Sequence, residues 1–181
     1  MLLVRHAATL ARGTPGLLDA ERPVTPLGKT RFRVAARGLT RIVERIDVLL
    51  TSPDLCARES AEILARAFGH GEPQVEALLA RDRIDAIVAT LAMHPREGTV
   101  ALVGHEPMLA ALLAYVLRSS EADRFTFRQG GAALVDLPQG PSATGRLVWY
   151  IPPRILRGLA SAIGVGRSAP TENGRIRRPK P

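Results

Sequence analysis

The chain has 181 residues, of which 46% are apolar and 23% charged, with a formal net charge of +8. A chain of this size buries roughly two-thirds or more of the surface its unfolded form exposes, so one domain with a full core is expected. Aromatic residues, at 4%, are too few for a base-stacking platform, the composition excludes overall disorder, and no apolar run approaches the roughly 20 residues of a bilayer-spanning helix.

The charge is uneven. From Ile151 onward seven basic side chains face only Glu172, so the first 150 residues carry just +2 of the +8. The expectation is one domain over 1–163 and a basic, disordered tail over 164–181, where Gly, Pro and Arg dominate. Such a tail can hold nucleic acid or an anionic membrane surface through phosphate contacts; a solvated tail without a partner is the commoner case. Cys56 is the single cysteine, so no internal disulfide forms. Met1 leads directly into Leu2-Leu3-Val4 without a charged segment and a signal-type core, and together these features read as cytoplasmic.

In chain order, short apolar runs alternate with stretches of helical period, the pattern of an α/β domain with a mostly parallel sheet. Leu2 to Arg5 reads as the first strand. Thr25-Pro26 is a cap followed by a first-turn proline, and Phe32, Ala35, Leu39, Ile42 and Ile46 continue a helix at spacings of three or four. Asp47 to Thr51 reads as a second strand, and Ser52-Pro53 as another cap before a helix reaching about Phe68, where Gly69 stops it. Val75 to Leu79 reads as a short third strand and Asp82 to Met93 as a helix.

Thr99 to Gly104 contains the clearest buried strand, Val100-Ala101-Leu102-Val103, and a helix follows from about Pro107 to Leu117. Ala132 to Leu137 and Arg146 to Ile151 read as two antiparallel edge strands joined through Pro138-Gln139-Gly140-Pro141. After Pro152-Pro153, the amphipathic run Ile155, Leu156, Leu159 and Ile163 suits a last helix packed on the domain, with a membrane-surface helix as the alternative.

Ligands of an open α/β sheet bind beyond the carboxyl ends of its strands. Here those ends carry Arg5-His6, Thr51-Ser52 and Gly104-His105. Two of the four histidines thus follow the two best strand signals. An arginine fork beside two imidazoles, near helix N-termini that favour anions, outlines a phosphate site.

At these positions the chain resembles a known family. Leu3-Val4-Arg5-His6-Ala7 is similar to the RHG signature of the histidine phosphatase superfamily, in the RHA form of its short, SixA-like phosphohistidine phosphatase branch. Arg22-Pro23-Val24-Thr25-Pro26-Leu27-Gly28 resembles the R-P-L-T-x-x-G segment of that branch. The run from Ser52 to Ala61 resembles its S-P-x-x-R-A-x-Q-T-A helix start, and Leu102-Val103-Gly104-His105-Glu106-Pro107 its V-G-H-x-P segment.

The resemblance implies a three-layer α/β/α sandwich and a two-step phosphoryl transfer. His6 would attack phosphorus in line and carry the phosphoryl group covalently until water hydrolyses it. Arg5 and His105 would neutralise the equatorial oxygens; Arg22, Ser52, Arg58 and Gly104 are the further candidates for substrate binding. His6 must offer a neutral ring nitrogen, so a backbone carbonyl or other acceptor is expected to fix its tautomer. The implied partner is a phosphorylated protein or a small phosphorylated substrate, and neither metal nor cofactor is implied. His70 and His94, at predicted helix ends, read as surface residues.

One departure bears on activity. Where the family places a second phosphate-binding arginine, this chain has Cys56. Arg58 lies two residues on, roughly 200° around a helix, and is expected to point elsewhere; Arg22 and Arg128 are candidates to replace the missing charge by reach. One lost charged hydrogen bond is worth about 1.5–3 kcal/mol, which weakens catalysis without excluding it. Cys56 is not followed by the C-x5-R loop of cysteine phosphatases, because Glu62 stands at the arginine position, so it reads as a small residue in a first helical turn.

No carboxylate aligns as a proton donor. Glu76 and Asp82 lie in the region where larger superfamily members supply one, and both read as solvated charges. A labile phosphorus–nitrogen bond needs less help from an acid, which leans the substrate towards phosphohistidine. The alternative function is a phosphate-binding protein that has lost turnover through Cys56.

Overall fold

The computed structural model describes residues 1–81, 83–94 and 98–161. The expected tail over 164–181 and Asp82 lie outside these residues. Six strands form one sheet: β1 (Leu2–Arg5), β2 (Val48–Thr51), β3 (Gln74–Val75), β4 (Val100–Gly104), β5 (Ala132–Asp136) and β6 (Arg146–Ile151). Their order is β3-β2-β4-β1-β5-β6. Strands β1 to β4 pair in parallel, β5 is antiparallel to β1, and β6 is antiparallel to β5. This is the expected mostly parallel sheet with an antiparallel edge.

Side chains alternate across a strand, and both faces of this sheet are buried. Leu2, Val4, Leu49, Ala101 and Val103 face one core with helices α1 (Pro26–Leu39), α2 (Leu55–Phe68) and α5 (Pro153–Ser161). Leu3, Leu50 and Leu102 face the other with α3 (Ile84–Ala92) and α4 (Met108–Leu117). The result is the three-layer sandwich. Among the described residues no helix is long and apolar enough to cross a membrane.

Local signals set several element ends. Thr25 Oγ1 accepts the Gly28 N–H at 3.0 Å above Pro26 at N1, a capping arrangement worth about 1 kcal/mol. Gly69 closes α2 in the left-handed region at φ 63°, where a Cβ would be penalised. Helix α5 packs along α1, burying Leu156 completely and setting Leu159 against the core, while Ile155 is exposed and Ile163 lies outside the described residues.

Other boundaries differ from expectation. The period predicts a helix running to Ile46, but α1 ends at Leu39. Thr40 Oγ1 donates to the Arg37 carbonyl at 2.8 Å, a side-chain bond that competes with helix continuation, and Val43 and Ile46 reach the core from the following turn. Helix α2 starts at Leu55, with Asp54 rather than Ser52 at the N-cap.

The predicted third strand shrinks to Gln74–Val75, because Glu76 accepts the Leu78 N–H at 3.0 Å and starts a 3-10 turn over Ala77–Ala80 that buries Leu79. Helix α3 likewise covers less than the predicted 82–93.

Candidate active site

Strands β1 and β4 are neighbours in parallel, with Arg5 opposite Gly104. Adjacent parallel strands lie about 4.8 Å apart, so the residues that follow, His6 and His105, emerge side by side at the carboxyl edge. Their ring centroids are 6.5 Å apart at 72°. The His6 N–H donates to the Gly104 carbonyl at 2.9 Å, which ties the two strand ends together.

His6 is only 4% exposed. Its Nδ1 donates to the Ala7 carbonyl oxygen at 2.7 Å, which assigns the proton to Nδ1 and leaves Nε2 with its lone pair. Burial chiefly holds the imidazole down at about 4, and the charges of Arg5, His105 and Arg22 push the same way against the Ala7 bond. The ring is therefore neutral at pH 7. The Ala7 N–H in turn donates to Ser60 Oγ at 2.9 Å, and Ser60 Oγ donates to the Cys56 carbonyl at 2.6 Å. Helix α2 thereby grips the residue whose carbonyl orients His6.

Arg5 is half-buried, donates to the Phe127 carbonyl, and has a buried Nε without a hydrogen-bond partner among the described residues. Burial lowers its affinity for the proton, with Glu106 acting in the opposite direction; a guanidinium still stays charged. His105 Nδ1 lies 3.3 Å from Asp54 Oδ2 at the N-terminus of α2, which leaves Nε2 as the ring nitrogen available to an anion.

These groups line one cavity of about 680 Å3, together with Arg22, Cys56, Glu106 and Gln129. Arg22 is 9% exposed and anchored by Nη1 bonds to Thr9 Oγ1 at 2.7 Å and the Leu10 carbonyl at 2.9 Å. Its Nε lies 3.0 Å from Asp19 Oδ1, an ion contact without hydrogen-bond alignment. The cavity therefore combines two imidazoles, two fixed guanidinium groups and a helix N-terminus, a combination suited to a tetrahedral oxyanion.

No protein-family model matches the sequence. A protein of Picosynechococcus sp., itself uncharacterized, is 38% identical over 94 residues, and the match spans 50% of this chain and 57% of that relative. Among solved structures, the protein histidine phosphatase SixA complexed with tungstate superposes with TM-score 0.73 at 23% identity, covering 86% of this chain and 97% of that one. A protein of Nakamurella multipartitia assigned as the phosphohistidine phosphatase SixA superposes with TM-score 0.60 at 26% identity, covering 82% of this chain and 94% of that one.

The chain has the histidine phosphatase fold in its SixA-like form.

Within that SixA-like framework, the candidate residues fall into three groups. Arg5, His6, His105 and Arg22 line the cavity. Gly104 and Ser52 support it from behind: Gly104 through its carbonyl, Ser52 as a fully buried residue whose Oγ accepts the Asp54 N–H at 3.4 Å. Arg58 is exposed and does not line the cavity. The regular α2 helix turns Arg58 away from Cys56, and the candidate substituent cation in the cavity is Arg22. Arg128 lines an adjoining cleft.

Cys56 is buried against the cavity, and its thiol is pushed up to about 11, chiefly by burial and further by Asp54. It is protonated at neutral pH and is no nucleophile. His70 and His94 stand outside the cavity. Glu76 caps its own turn instead of reaching the site.

Sequence reasoning passed over Glu106 and Ser60. Glu106 lines the cavity, its Oε1 accepts the Phe127 N–H at 2.9 Å, and burial raises its carboxyl above the ordinary glutamate value. The signal available was its place beside His105, at the carboxyl edge of the best strand. Ser60 had none, since its partner Ala7 is 53 residues away.

Proposed function

We propose that the protein is a phosphohydrolase in which His6 Nε2 attacks phosphorus and carries the phosphoryl group as a covalent intermediate. The observation that carries this reading is the Nδ1–Ala7 hydrogen bond on a buried ring held down at about 4. It supplies a neutral nucleophile of one tautomer beside the Arg5 and Arg22 guanidinium groups that line the same cavity, and the same bond stabilises the charged ring once Nε2 is phosphorylated.

In the first step the bond from Nε2 to phosphorus forms as the bond to the leaving group breaks. Arg5, Arg22 and His105 neutralise charge on the equatorial oxygens. Glu106, whose carboxyl burial raises above the ordinary glutamate value, lines the cavity and in its acid form would give its proton to the departing atom. In the second step water attacks phosphorus, its proton passes to the Glu106 carboxylate, the phosphorus–nitrogen bond breaks, and inorganic phosphate leaves with His6 neutral again. No step calls on a metal or cofactor. The solved SixA complex with tungstate, a tetrahedral oxyanion, supports a site of this kind on this fold. We place the reaction on a phosphorylated protein or small molecule, protein phosphohistidine among them.

A chase experiment tests this. Labelled phosphate is expected on His6 during turnover of an aryl phosphate or phosphohistidine and absent from His6→Ala; equal turnover by His6→Ala sinks the mechanism. A second reading rests on Cys56, which puts a neutral group where a cation would hold phosphate. In that reading substrates bind and are not consumed.

A further inference from the structure

A second cleft of about 620 Å3 adjoins the catalytic cavity and shares Arg5 and Gln129 with it. Its lining carries Arg31 from α1, Arg128 from the loop before β5 and Arg157 from α5, and no acidic residue among the described ones. None of these three makes an ion pair among the described residues, whereas seven other arginines do. Like charges gathered around one concavity repel each other, and an anion bound there removes that repulsion. The floor is apolar, with Phe32, Ala35 and Pro153.

We propose that this cleft is an anion subsite holding a second phosphoryl group of a small, multiply phosphorylated substrate, while the scissile group lies between His6 and His105. The proposal rests on the phosphatase reading for its scissile group. Guanidinium forks pair with phosphate oxygens bidentately, and three of them match a dianionic phosphoryl group better than a single carboxylate. The cleft is open, bounded by two helices and a loop with Arg31 and Arg128 exposed in its wall, and its size suits a small molecule. Arg5 and Gln129 line both cavities, so a single ligand can reach from one anion site to the other.

The test uses the full chain carrying His6→Ala, so that ligands persist, with fructose 6-phosphate and fructose 1,6-bisphosphate as probes in calorimetry. The bisphosphate is expected to bind about tenfold tighter or more. Adding R31Q and R157Q is expected to erase that preference and to leave fructose 6-phosphate within about twofold, because neither residue lines the catalytic cavity. R33Q with R37Q is the control: it removes the same charge from exposed positions of α1 that line a separate cleft, and it is expected to keep the preference.

Equal losses in the two double variants, or no preference to begin with, overturn the subsite. An acidic phosphopeptide that needs Arg31 and Arg157 more than the bisphosphate does overturns the small-molecule assignment. Failure of the catalytic reading looks different: the parent then turns over no phosphate compound, while the dependence of bisphosphate binding on Arg31 and Arg157 remains.

Discussion

Ser60 Oγ accepts the amide hydrogen of Ala7, and the carbonyl of that same Ala7 accepts the Nδ1 proton of His6. The hydroxyl is fully buried and also donates to the Cys56 carbonyl, so helix α2 holds the residue whose carbonyl selects the His6 tautomer. Ser60 is a positioning residue that acts through Ala7. Ser60→Ala leaves a buried N–H unsatisfied, at a cost of about 1–3 kcal/mol. A roughly tenfold fall in kcat with KM nearly constant is expected, and Ser60→Thr is expected to restore part of it. Equal losses in kcat and thermal stability without recovery by threonine would reduce Ser60 to a packing role.

The rate is expected to follow a bell in pH. Protonation of His6 removes the nucleophile, and since burial holds this ring at about 4, the acid limb is expected near pH 4 and not at the ordinary histidine value near 6.5. Glu106 has to be protonated to serve the leaving group. Its raised carboxyl puts the falling limb above the ordinary glutamate value, and Glu106→Gln is expected to lower kcat and flatten that limb. An acid limb centred on pH 6.5 in kcat/KM would show that His6 is not the titrating group.

The same histidine links pH to stability. Its folded value of about 4 is below the unfolded value near 6.5, so the unfolded chain binds the extra proton between these limits. Stability is full above 6.5 and is lost as pH falls towards 4, by on the order of 3 kcal/mol. Urea titrations of the parent and His6→Asn are expected to converge as pH drops through that window; parallel curves would contradict a buried neutral ring.

Cys56→Ala is expected to change turnover by less than about twofold, since a thiol pushed up to about 11 supplies neither charge nor nucleophile. Cys56→Arg adds a cation at the cavity wall and is expected to raise kcat/KM by about tenfold to a hundredfold, the worth of one charged hydrogen bond. An abolished activity in Cys56→Ala would reinstate the thiol; unchanged kinetics in a folded Cys56→Arg would mean that Arg22 already supplies the charge.

Gly38 lets two helices touch. A Cβ built there falls 1.8 Å from the Leu156 carbonyl oxygen, so Gly38→Ala has to push α5 off α1. A loss of about 2 kcal/mol is expected, lowering Tm by roughly 4–8 °C for a domain of this size. An unchanged Tm would mean that α5 does not hold this position in solution.

The fold was legible where local physics decides it. Leu2 to Arg5 and Val100 to Gly104 are apolar runs that only a buried strand satisfies, and the Thr25-Pro26 cap and the Gly69 stop need no distant partner. Boundaries set by side-chain competition were not legible: Thr40 ended α1 before the apolar period did, and Glu76 turned a predicted strand into a 3-10 turn.

By itself, then, the sequence determined the alternation of strands and helices, the residues at each strand end, and the absence of an arginine at position 56. Hydrophobic period and caps are properties of neighbours in the chain, so they can be read from it. Only the tertiary structure decided that β1 and β4 pair in a register bringing His6 and His105 within 6.5 Å, that burial brings the histidine down and the Glu106 carboxyl up, and that α1, α5 and the loop before β5 gather three arginines around one cleft. Each of these depends on groups far apart in the chain and on the water excluded between them, neither of which a local pattern records.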